Sequence, residues 1–434
     1  MRVVLSRVKC TDEGRTPGKD ATGPAGPGRP AGPAKDGSAR LGTARIRARA
    51  LVAGIAMVLV LGSGTGLVFS KDLPPVKIGA AGPFTGDLSK IGLDSLNAIR
   101  MAVEEANAEG GVGGRKIEIV VGDDAGDPAR AVTVADKFAM DPSVLGVVGP
   151  MNSGTVNAAL PTYQRAGLVL ISQSATNPSL TELGYKVMHR ICPRDDAQGP
   201  AAARFIAEEL GAKHVYIIDD KGAYGQGLAD QVAAALQKAG VKLTRGQVTP
   251  EDRDFSPILT KVKAASPDLL YLALPNPAQA AALIKQAVGL GLRPKLMGGD
   301  GLKERDQLIV GAGGAAEGMY VTAIGRDIKD VPEAQGFIKK FESRYGAMSI
   351  FSGQSYEATK ILIEAMRKAA AGNPARLTRA AVLEAVHNTR GYKGILGFPV
   401  GFTSKGDVLG ASIYVFQVKG GDFVQVKEYP AEVK

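Results

Sequence analysis

Residues 147–179 read VVGPMNSGTVNAALPTYQRAGLVLISQSATNPS, and their pattern decides the fold class. An apolar run, residues 145–148, leads into Gly149-Pro150 and then into the small polar residues Asn152, Ser153 and Thr155. An amphipathic segment follows to Ala166, then a second apolar run (168–171) and a second polar cluster of Ser172, Ser174, Ala175, Thr176 and Asn177. Strand, polar loop, helix, strand, polar loop is the signature of a parallel α/β sheet. Both loops then lie at the carboxyl ends of their strands, where open α/β sheets bind ligands. Ser153 is positioned to cap the helix, whose free N–H groups and dipole favour an anion. Taken alone, each loop reads more readily as ordinary caps and turns.

Working outward, the same alternation fills the chain from Val76 onward. IGAAGPFTG is a strand entering a polar loop, and residues 92–108 carry Leu96, Ile99, Val103 and Ala106 at helical spacing before GGVGG stops the helix. KIEIVVG runs into Asp123-Asp124-Ala125-Gly126-Asp127-Pro128. Its carboxylates lack the spacing of a calcium loop, and Asp127 before Pro128 reads as a helix cap. Later strands are expected at 186–191, 214–220, 242–248 and 268–274, as a short strand running into a Gly-flanked loop within 295–301, and at 319–322, with helices between them. After three helices (331–345, 351–371, 378–387) the tail from Tyr392 reads as β, with a hairpin of 412–418 and 423–427. About nine βα units exceed one ordinary sheet, so two doubly wound lobes with a ligand between them are expected.

The 434 residues are 45% hydrophobic, enough for more than one core. The net charge of +10 is concentrated at the N-terminal end: residues 1–70 hold 11 Lys/Arg and 4 Asp/Glu, the remainder 42 and 39. A nucleic-acid protein carries its basic excess in the folded part, so that class is excluded. Residues 1–39 read as a disordered Pro/Gly-rich extension. Residues 40–70 combine Arg40, Arg45, Arg47 and Arg49 with an apolar run at 51–61 and small residues before a cleavage point after Ser70. They read as a secretory signal peptide, with an uncleaved anchor as the alternative. Two cysteines, Cys10 and Cys192, make no disulfide framework, and His189, His214 and His387 are spaced unlike metal ligands. No cofactor, metal or nucleophile–base pair is indicated, which argues against an enzyme.

Several segments in order carry a family resemblance: IGAAGPFTGDLSKIGLDSLNAIRMAVEEANAEGGVGGRKIEIVVGDDAGDPARAV, GPMNSGT, ISQSATNPSLT, RICPRDDAQGPAAARFI, DDKGAYGQGLAD, DFSPILTKVKAASPDLLY, LMGGDGL and AEGMYVT. Over residues 76–434 the chain resembles the type I periplasmic solute-binding proteins, most nearly those for leucine, isoleucine and valine in branched-chain amino-acid ABC transporters. The resemblance implies two Rossmann-like α/β lobes joined by a three-segment hinge, crossing near 191–194, 322–326 and 396–403. Lobe one would comprise 76–191 and 325–396, and lobe two 195–323 and 404–434. The implied ligand is a branched-chain or related aliphatic amino acid, and the implied partner a membrane permease. The protein would act as a monomer in the periplasm or outside the cell.

Residue by residue, the resemblance implies that Ser153 and Thr176 hold the ligand carboxylate, beside Asn152, while Ser174 and Ala175 offer backbone groups. Tyr224 would close from the second lobe, Asp300 would accept the ammonium where relatives have Glu, and Phe351 and Pro275 would wall the side-chain pocket. Pro275 and Ile91 stand where the leucine-type relative has tyrosines, and Gly126 and Asn152 stand where it has its disulfide cysteines. Binding of an amide, urea or aromatic acid is the alternative, as is a ligand sensor of the same fold.

Overall fold

The computed structural model of the protein describes residues 73–373 and 376–431; the expected extension (1–39) and signal segment (40–70) lie outside them. The first half of the chain builds a five-stranded parallel sheet from β1 (Val76–Gly82), β2 (Ile117–Asp123), β3 (Val144–Val148), β4 (Leu170–Ser172) and β5 (Met188–Arg190), in the order β2-β1-β3-β4-β5. Helices α1 (Ser89–Ala108), α2 (Pro128–Met140), α3 (Ser153–Ala166) and the single turn α4 (Ser179–Glu182) connect them. All five residues of β3 are buried, as expected of a central parallel strand covered on both faces. A register shift in the β1–β3 pairing after Val144 interrupts simple alternation, so that Leu145 and Val148 enter one core with Leu96 and Ile99 of α1, and Val144 and Val147 another with Val134 of α2 and Leu160 of α3.

The second sheet has seven strands in the order β12-β11-β10-β9-β8-β6-β7. These are β6 (His214–Asp219), β7 (Lys242–Gln247), β8 (Leu269–Ala273), β9 (Lys295–Gly298), β10 (Tyr320–Ala323), β11 (Ser412–Lys419) and β12 (Asp422–Pro430). The first five run parallel, and the β11–β12 hairpin closes the far edge antiparallel. One face is covered by α5 (Asp195–Arg204) and α6 (Ala223–Lys238), the other by α7 (Ser256–Ala265) and α8 (Pro277–Gly289). Asp127 caps α2 by accepting from Arg130 N–H at 2.8 Å, and Asn276 does the same for α8. Between β9 and β10, where a helix is expected, the chain instead forms a π-type turn over Arg305–Val310, and the helix after β5 ends in another over Phe205–Glu209.

Three passages join the halves. Ile191 is buried in the first core and its neighbour Cys192 in the second. The chain returns after Ala323 and Ile324, so that α9 (Gln335–Tyr345), α10 (Ser352–Ala370) and α11 (Arg379–His387) pack on the first half. The third passage differs from the expected 396–403. Leu396, Val400, Phe402, Val408 and Ala411 are buried with the first core, and Gly406 accepts from Arg190 N–H at 3.0 Å. The chain therefore leaves the first half only between Ala411 and Ile413, because its apolar residues up to that point have their partners there. Residues 392–408 form isolated bridges rather than the expected strands.

Candidate functional site

In the first sheet the strand order reverses between β1 and β3, opening a crevice at their carboxyl ends. Gly149, at φ 97° and bonded to Pro150 by a cis peptide, lets the chain turn there, where a Cβ would run into the Ala81 carbonyl. The second sheet reverses between β6 and β8, so the loops bearing Tyr224 and Pro275 open toward a crevice of their own.

The two crevices meet in a small cavity lined by Leu88, Ile91, Met151, Asn152, Ser153, Ser174, Tyr224, Pro275, Asp300, Gly301 and Phe351. Seven of the nine residues singled out from sequence thus line one cavity: Asn152, Ser153, Ser174, Tyr224, Pro275, Asp300 and Phe351. Phe351 ends the loop before α10 with a left-handed backbone (φ 66°), uncommon for an aromatic residue, and packs against the second half's core. Leu88, Ile91, Met151, Pro275 and Phe351 form the apolar lining.

The polar side has two ends. At one, α3 begins at Ser153 with Asn152 at its N-cap position, so Ser153 is not the cap expected from sequence. Its hydroxyl instead accepts from Asn177 N–H at 3.2 Å, tying the two ligand loops together. The Asn152 side chain makes no capping bond, and its buried Oδ1 has no partner among the described residues. A first-turn N–H group of a helix has no intrahelical acceptor, which favours an anion here. Ser174 Oγ donates to Met151 O at 3.0 Å.

Ala175 and Thr176 do not line the cavity. The Ala175 N–H donates to Ser172 Oγ at 3.1 Å and its carbonyl accepts from Arg190 Nη1 at 2.7 Å, so the backbone groups expected to meet a ligand already serve the fold. Thr176 lies just behind, with a buried hydroxyl that has no hydrogen bond of good geometry.

At the other end, Asp300 is 3% exposed and accepts from Tyr224 Oη at 2.7 Å and Gln198 Nε2 at 2.9 Å. Burial raises its pKa above the ordinary carboxylate range, and these two bonds oppose that only in part. Gly299 makes the Tyr224 contact attainable, since a Cβ there would collide with the tyrosine hydroxyl. Sequence reasoning missed Gln198, Asp195 and Thr322 around Asp300. The D-x-x-Q spacing of Asp195 and Gln198, which puts both on one face of a helix start, was the available signal.

Across the mouth, Asp87 receives Arg253 Nη2 at 3.0 Å and Asn276 Nδ2 at 3.3 Å, and Asn177 Nδ2 donates to Ala223 O at 2.6 Å. Deeper in, Ile350 N–H donates to Glu304 Oε2 at 3.2 Å. These bonds hold the halves in a closed arrangement.

The other candidates from sequence are structural. Asp123 accepts from Phe84 N–H, Thr85 N–H and Thr85 Oγ1. His189 and His387, far apart in sequence, meet at 3.4 Å, but burial pushes His189 down to about 3 and its ring packs on Phe402. Among the described residues no group of three or more His, Cys, Asp or Glu could hold a metal.

Residues 75–422 match the family described as periplasmic binding protein. An amino acid binding protein of Pseudomonas aeruginosa is 36% identical over 312 residues, covering 70% of this chain and 81% of that protein. The leucine-, isoleucine-, valine-, threonine- and alanine-binding protein of the same organism is 32% identical over 351 residues, covering 80% and 91%. Among solved structures, the leucine binding protein LivK of Thermotoga maritima superposes with a TM-score of 0.74 at 27% identity, covering 82% of this chain and 98% of that one.

Proposed function

We infer the ligand from a firm premise: the chain belongs to the periplasmic binding protein family. Its relatives and fold are those of substrate-binding transport components, not enzymes. Within that family, the reading is that this protein captures an aliphatic α-amino acid, with branched-chain side chains the best fit, and delivers it to a membrane permease after export. The observation that carries it is the polarity of the cavity between the two halves. An anion-favouring end, the Ser153 hydroxyl and the first N–H groups of α3, stands opposite a buried acid (Asp300), with an apolar wall between. A zwitterion with an aliphatic side chain matches all three.

The carboxylate would take the Ser153 hydroxyl and the first N–H groups of α3, charge-assisted bonds that are shorter and stronger than neutral ones. The ammonium would take Asp300, brought in by the other half, because a buried cation needs a counter-charge. Binding both ends at once requires both halves, so ligand stabilises the closed form. Thr176 joins the carboxylate only if its loop shifts toward the cavity. Leu88, Ile91, Met151, Pro275 and Phe351 would receive the side chain.

Calorimetric titration with a panel of α-amino acids, their amides, urea and benzoate tests this. The expected result is binding confined to aliphatic α-amino acids, with Ser153→Ala losing roughly 1.5–3 kcal/mol, as for other hydrogen bonds to charge. Binding of benzoate or an amide in place of every amino acid would overturn the assignment.

A further inference from the structure

Behind Asp300 lies a polar cluster that amino-acid capture as described does not use. Gln198, in the first turn of α5, is fully buried with every hydrogen-bonding position engaged. Its Oε1 accepts from Thr322 Oγ1 at 2.6 Å and from Asp300 N–H at 3.1 Å. Its Nε2 donates to Asp195 Oδ1 at 3.0 Å and to Asp300 Oδ1 at 2.9 Å. One amide therefore holds two buried carboxylates side by side.

The surroundings supply little positive charge. Arg190 is the cation that acts on Asp195, and its donors are bonded to Asp407, Thr181 and the carbonyls of Ala175 and Asn177. The other titratable groups facing the pair are the Tyr224 hydroxyl from α6, the Tyr271 hydroxyl from β8 and the Cys192 thiol from the first passage, all kept neutral by burial. Thr176 faces Asp195 from the first half; Asp195 Oδ2 and Thr176 Oγ1 are buried and neither has a well-formed hydrogen bond. Asp300 itself lines the ligand cavity.

We propose that Asp195 and Asp300 form a coupled acid pair that holds one proton in the ligand-free protein and releases it when a ligand ammonium docks on Asp300, with Gln198 as the positioning residue. The proposal rests on the amino-acid reading above. Two like charges in a dry site cannot both be ionised without compensation, so the free pair keeps a proton and a net charge of −1. The arriving ammonium supplies the missing positive charge, the O–H bond breaks, and the proton leaves to solvent, so the net charge at the pair and its cation is unchanged. Burial, then Asp300, pushes Asp195 up to about 8, which puts the exchange near neutral pH. By linkage, affinity rises about tenfold per pH unit below the pair's upper titration and levels off above it.

The test uses the full chain and L-leucine. Carboxyl ¹³C NMR of the ligand-free protein should show an aspartate titrating at least two units above the ordinary range, lost in Asp195→Asn. Calorimetry at pH 7 in buffers of different ionisation enthalpy should show close to one proton released per leucine, falling to near zero in Asp195→Asn with binding retained. Gln198→Met should move the pH at which affinity levels off; an unmoved profile would reduce Gln198 to packing. Leucine binding with no proton release and constant affinity from pH 6 to 9 overturns the acid pair alone. Absence of leucine binding at every pH, with the raised titration still present, overturns the amino-acid reading and the linkage with it.

Discussion

Arg190 and Asp407, 217 positions apart in sequence, form a buried ion pair 2.7 Å long. Arg190 also donates to the carbonyls of Ala175 and Asn177, so one guanidinium fixes the loop around Thr176 and the segment that precedes the third passage between the halves. Removing one member of such a pair strands a buried charge. Asp407→Ala should therefore cost about 3–5 kcal/mol of stability by denaturant unfolding. Asp407→Asn, which keeps an acceptor for Thr181 and Arg190, should cost less.

A second prediction concerns Gly299. Its missing Cβ leaves the room in which Tyr224 reaches Asp300. Gly299→Ala should displace the tyrosine and destabilise the fold by roughly 1–3 kcal/mol, the usual effect of overpacking. Ligand affinity should fall at least tenfold by titration, while the same substitution at solvent-facing Gly289, where a Cβ meets nothing, should leave affinity unchanged.

Asp124 gives a pH dependence. It is fully buried at the end of β2, accepts from Gly126 N–H, and burial pushes it up to about 6. A carboxyl raised on folding binds its proton more tightly in the folded state. Its contribution is thus fully present below pH 4 and is lost as pH rises to about 6. Asp124→Asn should stabilise the protein at pH 7 by up to about 3 kcal/mol, and the gain should vanish near pH 4. Urea unfolding at both pH values measures it.

The contacts across the mouth should matter through closure. Asp87 meets Arg253 and Asn276 from the opposite half, but Asp87 and Arg253 are both largely exposed. Exposed pairs contribute little, so Asp87→Ala should weaken ligand binding only about two- to five-fold and reduce its salt dependence. Asn177→Ala should cost more, since Asn177 joins Ala223 across the cleft and also orders Ser179. Titrations at low and high salt separate the two.

Much of this was legible in sequence, for identifiable reasons. Runs such as VLGVV and LLYLA, five residues long and followed by Gly-Pro or Pro-Asn-Pro turns, read as central strands of a covered parallel sheet, and both are buried throughout. Asp127-Pro128 and Asn276-Pro277 announce helix starts by local chemistry alone, and both asparagine and aspartate cap as that chemistry requires. The third passage was not legible, because Val408 and Ala411 carry no local sign of which of two cores receives them. Ala175 escaped for a similar reason: its carbonyl is claimed by Arg190, and a backbone partner leaves no mark on residue type. Gln198 looked like an ordinary polar residue in a helix start, since its importance lies in four hydrogen bonds to three residues, Asp195, Asp300 and Thr322.

The central claim is that both ends of a zwitterion are held, one by each half. Calorimetric titration with L-leucine, 4-methylpentanoate (no ammonium) and 3-methylbutylamine (no carboxylate) tests it most directly. The account predicts that leucine binds and that each truncated analogue binds at least about tenfold more weakly, one lost charge-assisted contact being worth that much. Binding of 4-methylpentanoate as tightly as leucine, with Asp300→Ala unaffected, would contradict it.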